Sequence, residues 1–92
     1  MPKIFDPLSP TPINYTLQPN DDTVVGGNAS DYFIGNSINN SLAGWGGNDT
    51  LLGEDGDDTL NGGSGADSLV GGNGNDVFIV DNVGDKVLGG LG

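Results

Sequence analysis

Large apolar residues recur at every ninth position, and small or polar residues fill the positions between them. The column consists of Val24, Phe33, Leu42, Leu51, Leu60, Leu69, Phe78 and Val87. Successive side chains of a strand point to opposite faces of a sheet. Each apolar residue therefore predicts the inward-pointing centre of a three-residue strand, at positions seven to nine of a nine-residue repeat.

The other six positions of each repeat are mostly glycine and small polar residues, a composition that does not form helices. Glycine occupies position one in six consecutive repeats, at Gly26, Gly35, Gly44, Gly53, Gly62 and Gly71. Glycine at positions one and four permits backbone angles that other residues avoid. We therefore expect each repeat to be a turn plus a short strand, with two repeats closing one coil of a flattened solenoid.

Proline and glycine divide the chain into two parts. All five prolines lie at or before Pro19, and all eighteen glycines lie from Gly26 onward. The proline spacing disfavours both a helix and a sheet interior. We expect an extended proline-rich arm over residues 1–16 and a solenoid over residues 17–92. The repeats are strict over residues 44–79 and weaker over residues 17–43 and 80–88.

Position six of the repeat carries an acid or its amide in every frame: Asp22, Asp31, Asn40, Asp49, Asp58, Asp67, Asp76 and Asp85. The formal net charge is −11, with two basic residues in 92. A single apolar column is a small core, and stacked carboxylates repel one another, so we expect the chain alone to be disordered. A hard divalent cation would bind the turns and neutralise their carboxylates.

The frames GGSGADSLV from Gly62 and GGNGNDVFI from Gly71 fit the motif G-G-x-G-x-D-x-(large apolar)-x. This motif resembles the RTX (repeats-in-toxin) nonapeptides, which bind calcium. The resemblance covers residues 17–88, several copies being in register. It implies an all-β fold, a right-handed parallel β-roll of about four coils, with several Ca²⁺ ions between turns stacked on the same side.

The resemblance also implies the ligands. The stacks would be Asp22–Asn40–Asp58–Asp76 and Asp31–Asp49–Asp67–Asp85, with position six as the anionic ligand. Main-chain carbonyls of positions one to four would supply most other oxygens, at Gly44, Trp45, Gly46, Gly47, Gly53, Glu54, Asp55, Gly56, Gly62, Gly63, Ser64, Gly65, Gly71, Gly72, Asn73 and Gly74. The neutral Asn40 and the departures at Ala29 and Ile38 predict weak or empty sites in the first three frames.

For function, the resemblance implies a calcium-binding structural module of an exported bacterial protein. Such a chain stays unfolded inside the cell, passes a type I secretion channel and folds in extracellular calcium. One alternative is a self-assembling, calcium-dependent subunit that forms a filament or a dimer. Another is an accessory module of a larger secreted enzyme or adhesin.

Composition argues against several other classes of function. A chain of charge −11 has no basic patch for nucleic acid, and no apolar run is long enough to span a membrane. The start, MPKIFDPLSP, lacks the apolar core of a signal peptide. Without histidine or cysteine, no nucleophile–base pair stands out, so we expect no catalysis.

Position nine points outward and predicts an apolar stripe on one face of the roll. The stripe consists of Ile34, Leu52, Val70 and Leu88. The opposite face carries Val25, Ala43, Asn61 and Ile79. Soluble monomers usually cover such a stripe. We expect a second copy or the arm to cover it, the arm through its apolar residues Ile4, Phe5, Leu8, Ile13 and Tyr15.

Overall fold

The computed structural model describes residues 12–80 and 84–89, and the backbone of residues 2–4. Within these ranges the chain forms ten three-residue strands: β1 (Pro2–Ile4), β2 (Asn14–Thr16), β3 (Thr23–Val25), β4 (Tyr32–Ile34), β5 (Ser41–Ala43), β6 (Thr50–Leu52), β7 (Thr59–Asn61), β8 (Ser68–Val70), β9 (Val77–Ile79) and β10 (Lys86–Leu88). No helix long and apolar enough to cross a membrane occurs in the described residues.

The strands alternate between two parallel sheets. The odd-numbered strands form one sheet in the order β1-β3-β5-β7-β9, and the even-numbered strands form the other in the order β10-β8-β6-β4-β2. From β2 onward each residue pairs with the residue eighteen positions away, as Phe33 does with Leu51. The predicted eighteen-residue coil and the parallel β-roll of about four coils are confirmed.

The predicted apolar column forms the core between the sheets. Val24, Phe33, Leu42, Leu51, Leu60 and Leu69 are each at most 1% exposed. Phe78 is half-buried and packs against this cluster, whereas Val87 is 40% exposed. The column is therefore confirmed over six repeats and opens to solvent at β9 and β10, which are the last strands of their sheets in the described part of the chain.

Part of the segment expected to be an arm extends the two sheets. β1 pairs with β3, and β2 pairs with β4 in the same eighteen-residue register as the repeats. Ile13 and Tyr15 pack against the core, not on the outer stripe as expected, because the alternation in β2 turns Tyr15 toward Phe33. Phe5 and Leu8 lie outside the described residues. The domain boundary after residue 16 stays a prediction.

The turns use glycine differently from the expectation. The left-handed region is occupied at positions two and four of the strict frames, not at position one. Position four has φ of 83–101° at Gly47, Gly56, Gly65 and Gly74. At position two, Trp45 and Glu54 adopt φ of 70° and 69°, at a cost of about 1–2 kcal/mol each for a side chain in that region. Position-one glycines serve instead to allow close approach of neighbouring atoms.

Candidate metal centre

The position-six side chains lie in two stacks of turns, one at each edge of the roll. We call the turns 17–22, 35–40, 53–58 and 71–76 stack one, and the turns 26–31, 44–49, 62–67 and 80–85 stack two. The structure describes residues 80, 84 and 85 of the last turn. Within each stack, successive turns are eighteen residues apart, so these are the two columns expected from the sequence.

Each stack carries a ladder of hydrogen bonds to position-six carboxylates. In stack two, the Asp31 N–H donates to Asp49 Oδ1 at 2.7 Å, and the Asp49 N–H donates to Asp67 Oδ1 at 2.8 Å. In stack one, the Asn40 N–H donates to Asp58 Oδ1 at 2.8 Å. Two further bonds continue the ladders, Asp58 N–H to Asp76 and Asp67 N–H to Asp85. One oxygen of each carboxylate therefore ties its own turn to the preceding turn.

The second carboxylate oxygen behaves differently along the chain. In the early frames the equivalent oxygen is satisfied within its own turn: Gly27 N–H donates to Asp31 Oδ2 at 3.2 Å, and Asn36 N–H donates to Oδ1, the amide oxygen of Asn40, at 2.9 Å. In later frames Oδ2 is buried and accepts no hydrogen bond within the described residues, at Asp49, Asp58, Asp76 and Asp85. A buried carboxylate oxygen without a partner is costly, so these atoms indicate a missing positive partner.

The backbone conformation at position two explains the difference. Gly27 and Asn36 lie outside the left-handed region, and their N–H groups reach the position-six oxygen. Trp45 and Glu54 lie in that region. Neither N–H makes a described hydrogen bond to Asp49 or Asp58, and the second oxygen of each is left for another partner.

Glycine at position one leaves just enough room for this oxygen and for the next turn. A Cβ on Gly53 would lie 2.6 Å from Asp58 Oδ2 and 2.8 Å from the Gly71 carbonyl oxygen. Real Cβ atoms do not approach other atoms so closely. A carboxylate oxygen and a main-chain carbonyl oxygen of the following turn therefore both lie within 3 Å of the same point in stack one.

Main-chain carbonyls of positions two and four point along the stacks toward the next turn. A Cβ on Gly63 would fall on the Trp45 carbonyl oxygen, and one on Gly72 would fall on that of Glu54. At position four, Gly65 and Gly74 lie over the carbonyls of Gly47 and Gly56 in the same way. Several of the carbonyls expected as ligands thus face the space between turns. The position-three residues Asp55, Ser64 and Asn73 have exposed side chains.

The donor set of these spaces consists of carboxylate and carbonyl oxygens, which suits Ca²⁺ with its six to eight oxygen ligands. No group of three or more His, Cys, Asp or Glu side chains in the described residues could hold a metal by itself. A cation here would therefore take most of its ligands from the main chain. The residues of the strict frames fit calcium on this test.

Burial alters the acidity of two of these carboxyl groups. Burial, with a smaller contribution from the charges of Asp31 and Asp67, raises the pKa of Asp49 to about 7, although the hydrogen bond from the Asp31 N–H lowers it. Burial likewise raises the pKa of Asp58 to about 7, with contributions from the charges of Asp76 and Asp57. Near neutral pH both groups are therefore only partly ionised without a cation, because a buried negative charge without a partner is unfavourable.

The first frame departs from the column. Asp22 is exposed, whereas its neighbour Asp21 is buried, with 7% of its surface exposed. Asp21 Oδ2 accepts hydrogen bonds from the Tyr15 hydroxyl and from the Gln18 N–H at 3.0 Å. The bond to Asp21 raises the pKa of Tyr15. The nine-residue spacing predicts that Asp22 is the position-six residue, and nothing in the sequence distinguishes the two adjacent acids.

A second ladder, at position five, was missed by sequence reasoning. Asn39 Oδ1 accepts from Asp57 N–H at 2.8 Å, and Asp57 Oδ1 accepts from Asn75 N–H at 2.9 Å. In stack two, Ser30 Oγ and Asn48 Oδ1 accept from Asn48 N–H and Ala66 N–H. The sequence contained a signal, since six of the eight position-five residues are Ser, Asn or Asp. These exposed bonds join turns without any ion.

Comparison with known proteins agrees with this geometry. A family model described as the RTX calcium-binding nonapeptide repeat (4 copies) matches residues 19–51, 44–78 and 52–87. Neither a curated protein nor a solved structure matches the chain. The three overlapping matches span three quarters of the chain, including both stacks of turns. The chain belongs to the RTX calcium-binding nonapeptide repeat family.

Proposed function

We propose that this chain is a calcium-dependent structural module, whose later turns bind Ca²⁺ between successive coils. The buried Oδ2 atoms of Asp49, Asp58 and Asp76, which accept no hydrogen bond in the described residues, carry the proposal. Such atoms need a positive partner, and the carbonyls around them suit a hard cation. Asp31, Asn40 and Asp22 are then weak ligands or none.

The strong sites in this proposal lie among the turns that begin at Gly44, Gly53, Gly62 and Gly71. In these turns positions two and four are left-handed, and in the turns that begin at Gly44 and Gly53 the carbonyls of these positions face the next turn. The frames before residue 44 lack that conformation. Calcium would relieve the repulsion between stacked carboxylates. Because the stacked ligands come together only in the rolled form, the ions would bind that form and stabilise it by mass action.

A calcium titration tests the proposal. In chelator we expect a largely disordered far-UV circular dichroism spectrum, and addition of calcium should convert it cooperatively to β-structure. Trp45, whose side chain is half-exposed and whose carbonyl faces Gly63, should report the same transition by fluorescence. Magnesium at equal concentration is the control, since it prefers octahedral sites that retain water. Identical spectra in chelator and in calcium would refute the proposal.

The calcium-free chain should respond to pH in the direction opposite to ordinary acid denaturation. Asp49 and Asp58 have pKa values of about 7 when folded, against an ordinary value of 3.8. Between these values the folded chain retains protons that the unfolded chain has released, so its free energy of unfolding falls as pH rises. In chelator, β-structure should be greater at about pH 5 than at about pH 8.

Calcium should weaken this dependence, because protons compete with the ion for the same carboxylates. The gain in the free energy of unfolding that a fixed calcium concentration provides over chelator should therefore decrease as pH falls below about 7. Circular dichroism in chelator and in calcium, over the same pH series, measures both trends. A chelated chain whose β-content is constant across the series would contradict the buried, protonated state of Asp49 and Asp58.

We further propose that the module is exported and folds outside the cell. RTX repeats are typical of exported proteins, and a chain that requires calcium to fold would remain a coil where calcium is scarce. Type I secretion of the unfolded chain is consistent with this logic. The proposed role is structural and not catalytic, whether the chain acts alone or as an accessory module of a larger secreted enzyme or adhesin.

Self-association is a second candidate, favoured by the exposed apolar surface at the last described coil. Val77 and Ile79 of β9 are 56% and 45% exposed, and Leu88 of β10 is 65% exposed. Open strand edges and exposed apolar side chains promote pairing with a second copy. The other stripe residues Ile34, Leu52 and Val70 are only half-exposed. Light scattering during the calcium titration would detect such a dimer or filament, and a monomer at every calcium concentration would exclude it.

A further inference from the structure

The first two turns of stack one are joined by side-chain amides. Asn36 Nδ2 donates to the carbonyl oxygens of Gln18 at 2.7 Å and Asp21 at 2.8 Å. Asn40 Nδ2 donates to the Asp21 carbonyl at 3.3 Å and to Asn36 Oδ1 at 2.9 Å. Three of these four bonds cross from turn 35–40 to turn 17–22, and we call the whole set the amide lock.

The amide lock uses the groups that a cation would need. Gln18 occupies position two of its frame, like Trp45 and Glu54, whose carbonyls face the next turn in the strict frames. Here that carbonyl already accepts a hydrogen bond from Asn36. The partly positive hydrogens of the Asn36 side-chain amide thus occupy the place beside the carbonyl oxygens that a cation would take. They would also repel such a cation.

The side-chain oxygens around the amide lock are also satisfied. Asn40 Oδ1 accepts from the Asn36 N–H, and Asn36 Oδ1 accepts from Asn40 Nδ2 and from the Ile38 N–H at 3.2 Å. Asp21 Oδ2 accepts from Gln18 and Tyr15. Within the described residues, no buried side-chain oxygen of this pair of turns lacks a hydrogen bond, in contrast to Asp58 in the next turn of the stack.

The backbone of turn 35–40 differs as well. Asn36 and Ile38, at positions two and four, lie outside the left-handed region, whereas Glu54 and Gly56 in the next turn have φ of 69° and 94°. The backbone conformation of turn 35–40 at positions two and four therefore differs from that of the turns that fit calcium. The side-chain amides, the satisfied oxygens and the backbone conformation therefore all disfavour a cation in the space between turns 17–22 and 35–40.

We propose that the amide lock replaces calcium between turns 17–22 and 35–40, so that the first coil is fixed to the second without an ion. This inference rests on the proposed calcium function of the later turns. It makes Asn36 and Asn40 the residues that determine where cation binding begins in stack one. A neutral asparagine is then not a weakened ligand but the donor that takes the place of the ion.

The variant Asn40→Asp separates these two interpretations. Aspartate cannot donate the bonds to Asp21 and Asn36, and it adds a charge beside Asp21. The amide lock predicts an unchanged number of bound Ca²⁺ ions, measured by isothermal titration calorimetry, and a melting temperature in saturating calcium lower by about 5 °C or more. A weakened calcium site predicts one additional ion and a higher melting temperature, and that result would overturn the proposal.

The matched control is Asn39→Asp, an equal change of charge at the adjacent exposed residue. Asn39 Oδ1 accepts from Asp57 N–H, a role that aspartate retains. Its melting temperature should stay within about 2 °C of the parent. Equal losses in both variants would overturn the proposal, because the effect would then be one of overall charge.

A direct measurement follows the side-chain amide protons of Asn36 and Asn40 by NMR. They should exchange with solvent more slowly than those of the exposed Asn73, and exchange as fast as that of Asn73 would overturn the proposal. A chain that shows no calcium-dependent folding would instead defeat the proposed function. In a folded chain of that kind, protected protons at Asn36 and Asn40 would still support the amide lock.

Discussion

Replacing Asp58 by asparagine is expected to weaken calcium binding by at least about tenfold, or about 1.4 kcal/mol. Asp58 Oδ2 is buried and accepts no hydrogen bond in the described residues, and both it and the Gly71 carbonyl oxygen lie close to Gly53. Asparagine keeps the shape and can keep the Oδ1 bond to the Asn40 N–H. It removes the negative charge on which the cation depends. The calcium midpoint for folding, followed by circular dichroism, measures the loss.

Asp55→Asn is the matched control for Asp58→Asn. Asp55 lies in the same turn and carries the same charge, but its side chain is exposed, and its Oδ1 accepts only an exposed hydrogen bond from Asn73 at 3.1 Å. An exposed charge is screened by solvent and salt, so this variant should bind calcium nearly as the parent does. Equal losses in the two variants would attribute the effect to net charge and contradict a specific role for Asp58.

The apolar column and its period could be read from the sequence because one physical requirement fixes them. A strand alternates its side chains, and position eight is large and apolar in every repeat, so Leu42, Leu51, Leu60 and Leu69 share one interior. Two nine-residue repeats make one coil, which predicts the eighteen-residue register, and the pairing of Phe33 with Leu51 confirms it. Tyr15 continues this register into β2, although the prolines around it concealed the continuation.

The sites could be predicted only in part, because a one-letter pattern does not specify which atom of a side chain is satisfied. The sequence identified the carboxylates in register, including Asp49 and Asp58. It did not reveal that one oxygen of each is used by the preceding turn. It also assigned glycine at position one to backbone angles, whereas the structure assigns it to close packing against Asp58 and Gly71. Such crowding depends on contacts eighteen residues apart, which no local preference encodes.

The position of each Asx residue within its turn decides whether the turn needs an ion. At position five, Asn39 and Asp57 both accept from the following turn, so their charge matters little to the ladder. At position six, Asp58 has a second buried oxygen that no N–H satisfies, whereas Asn40 brings its own hydrogen-bond donor. A turn whose own N–H satisfies the position-six oxygen, as Asn36 does for Asn40, is thus self-sufficient, whereas the turn of Asp58 is ready for a metal.

Replacing Gly53 by alanine is expected to disrupt the roll, although alanine is among the mildest substitutions elsewhere. The new methyl group would lie 2.6 Å from Asp58 Oδ2 and 2.8 Å from the Gly71 carbonyl oxygen. The carbonyl cannot retreat without moving the next coil, because the Gly53 N–H also bonds to the Val70 carbonyl at 2.7 Å. Overpacking of this kind costs about 1–3 kcal/mol and would displace oxygens proposed to bind calcium.

In a chain of this size each kcal/mol shifts the melting temperature by about 4–8 °C. We therefore expect Gly53→Ala to lower the melting temperature in calcium by about 10 °C and to require more calcium to fold. Gly89→Ala is the control, since no described atom lies within 4 Å of the added methyl group and the backbone angle is ordinary. Differential scanning calorimetry of both variants makes the comparison. Equal melting temperatures for the two variants would mean that close approach of neighbouring atoms does not require glycine at position one. The recurrence of glycine every nine residues would then need another explanation.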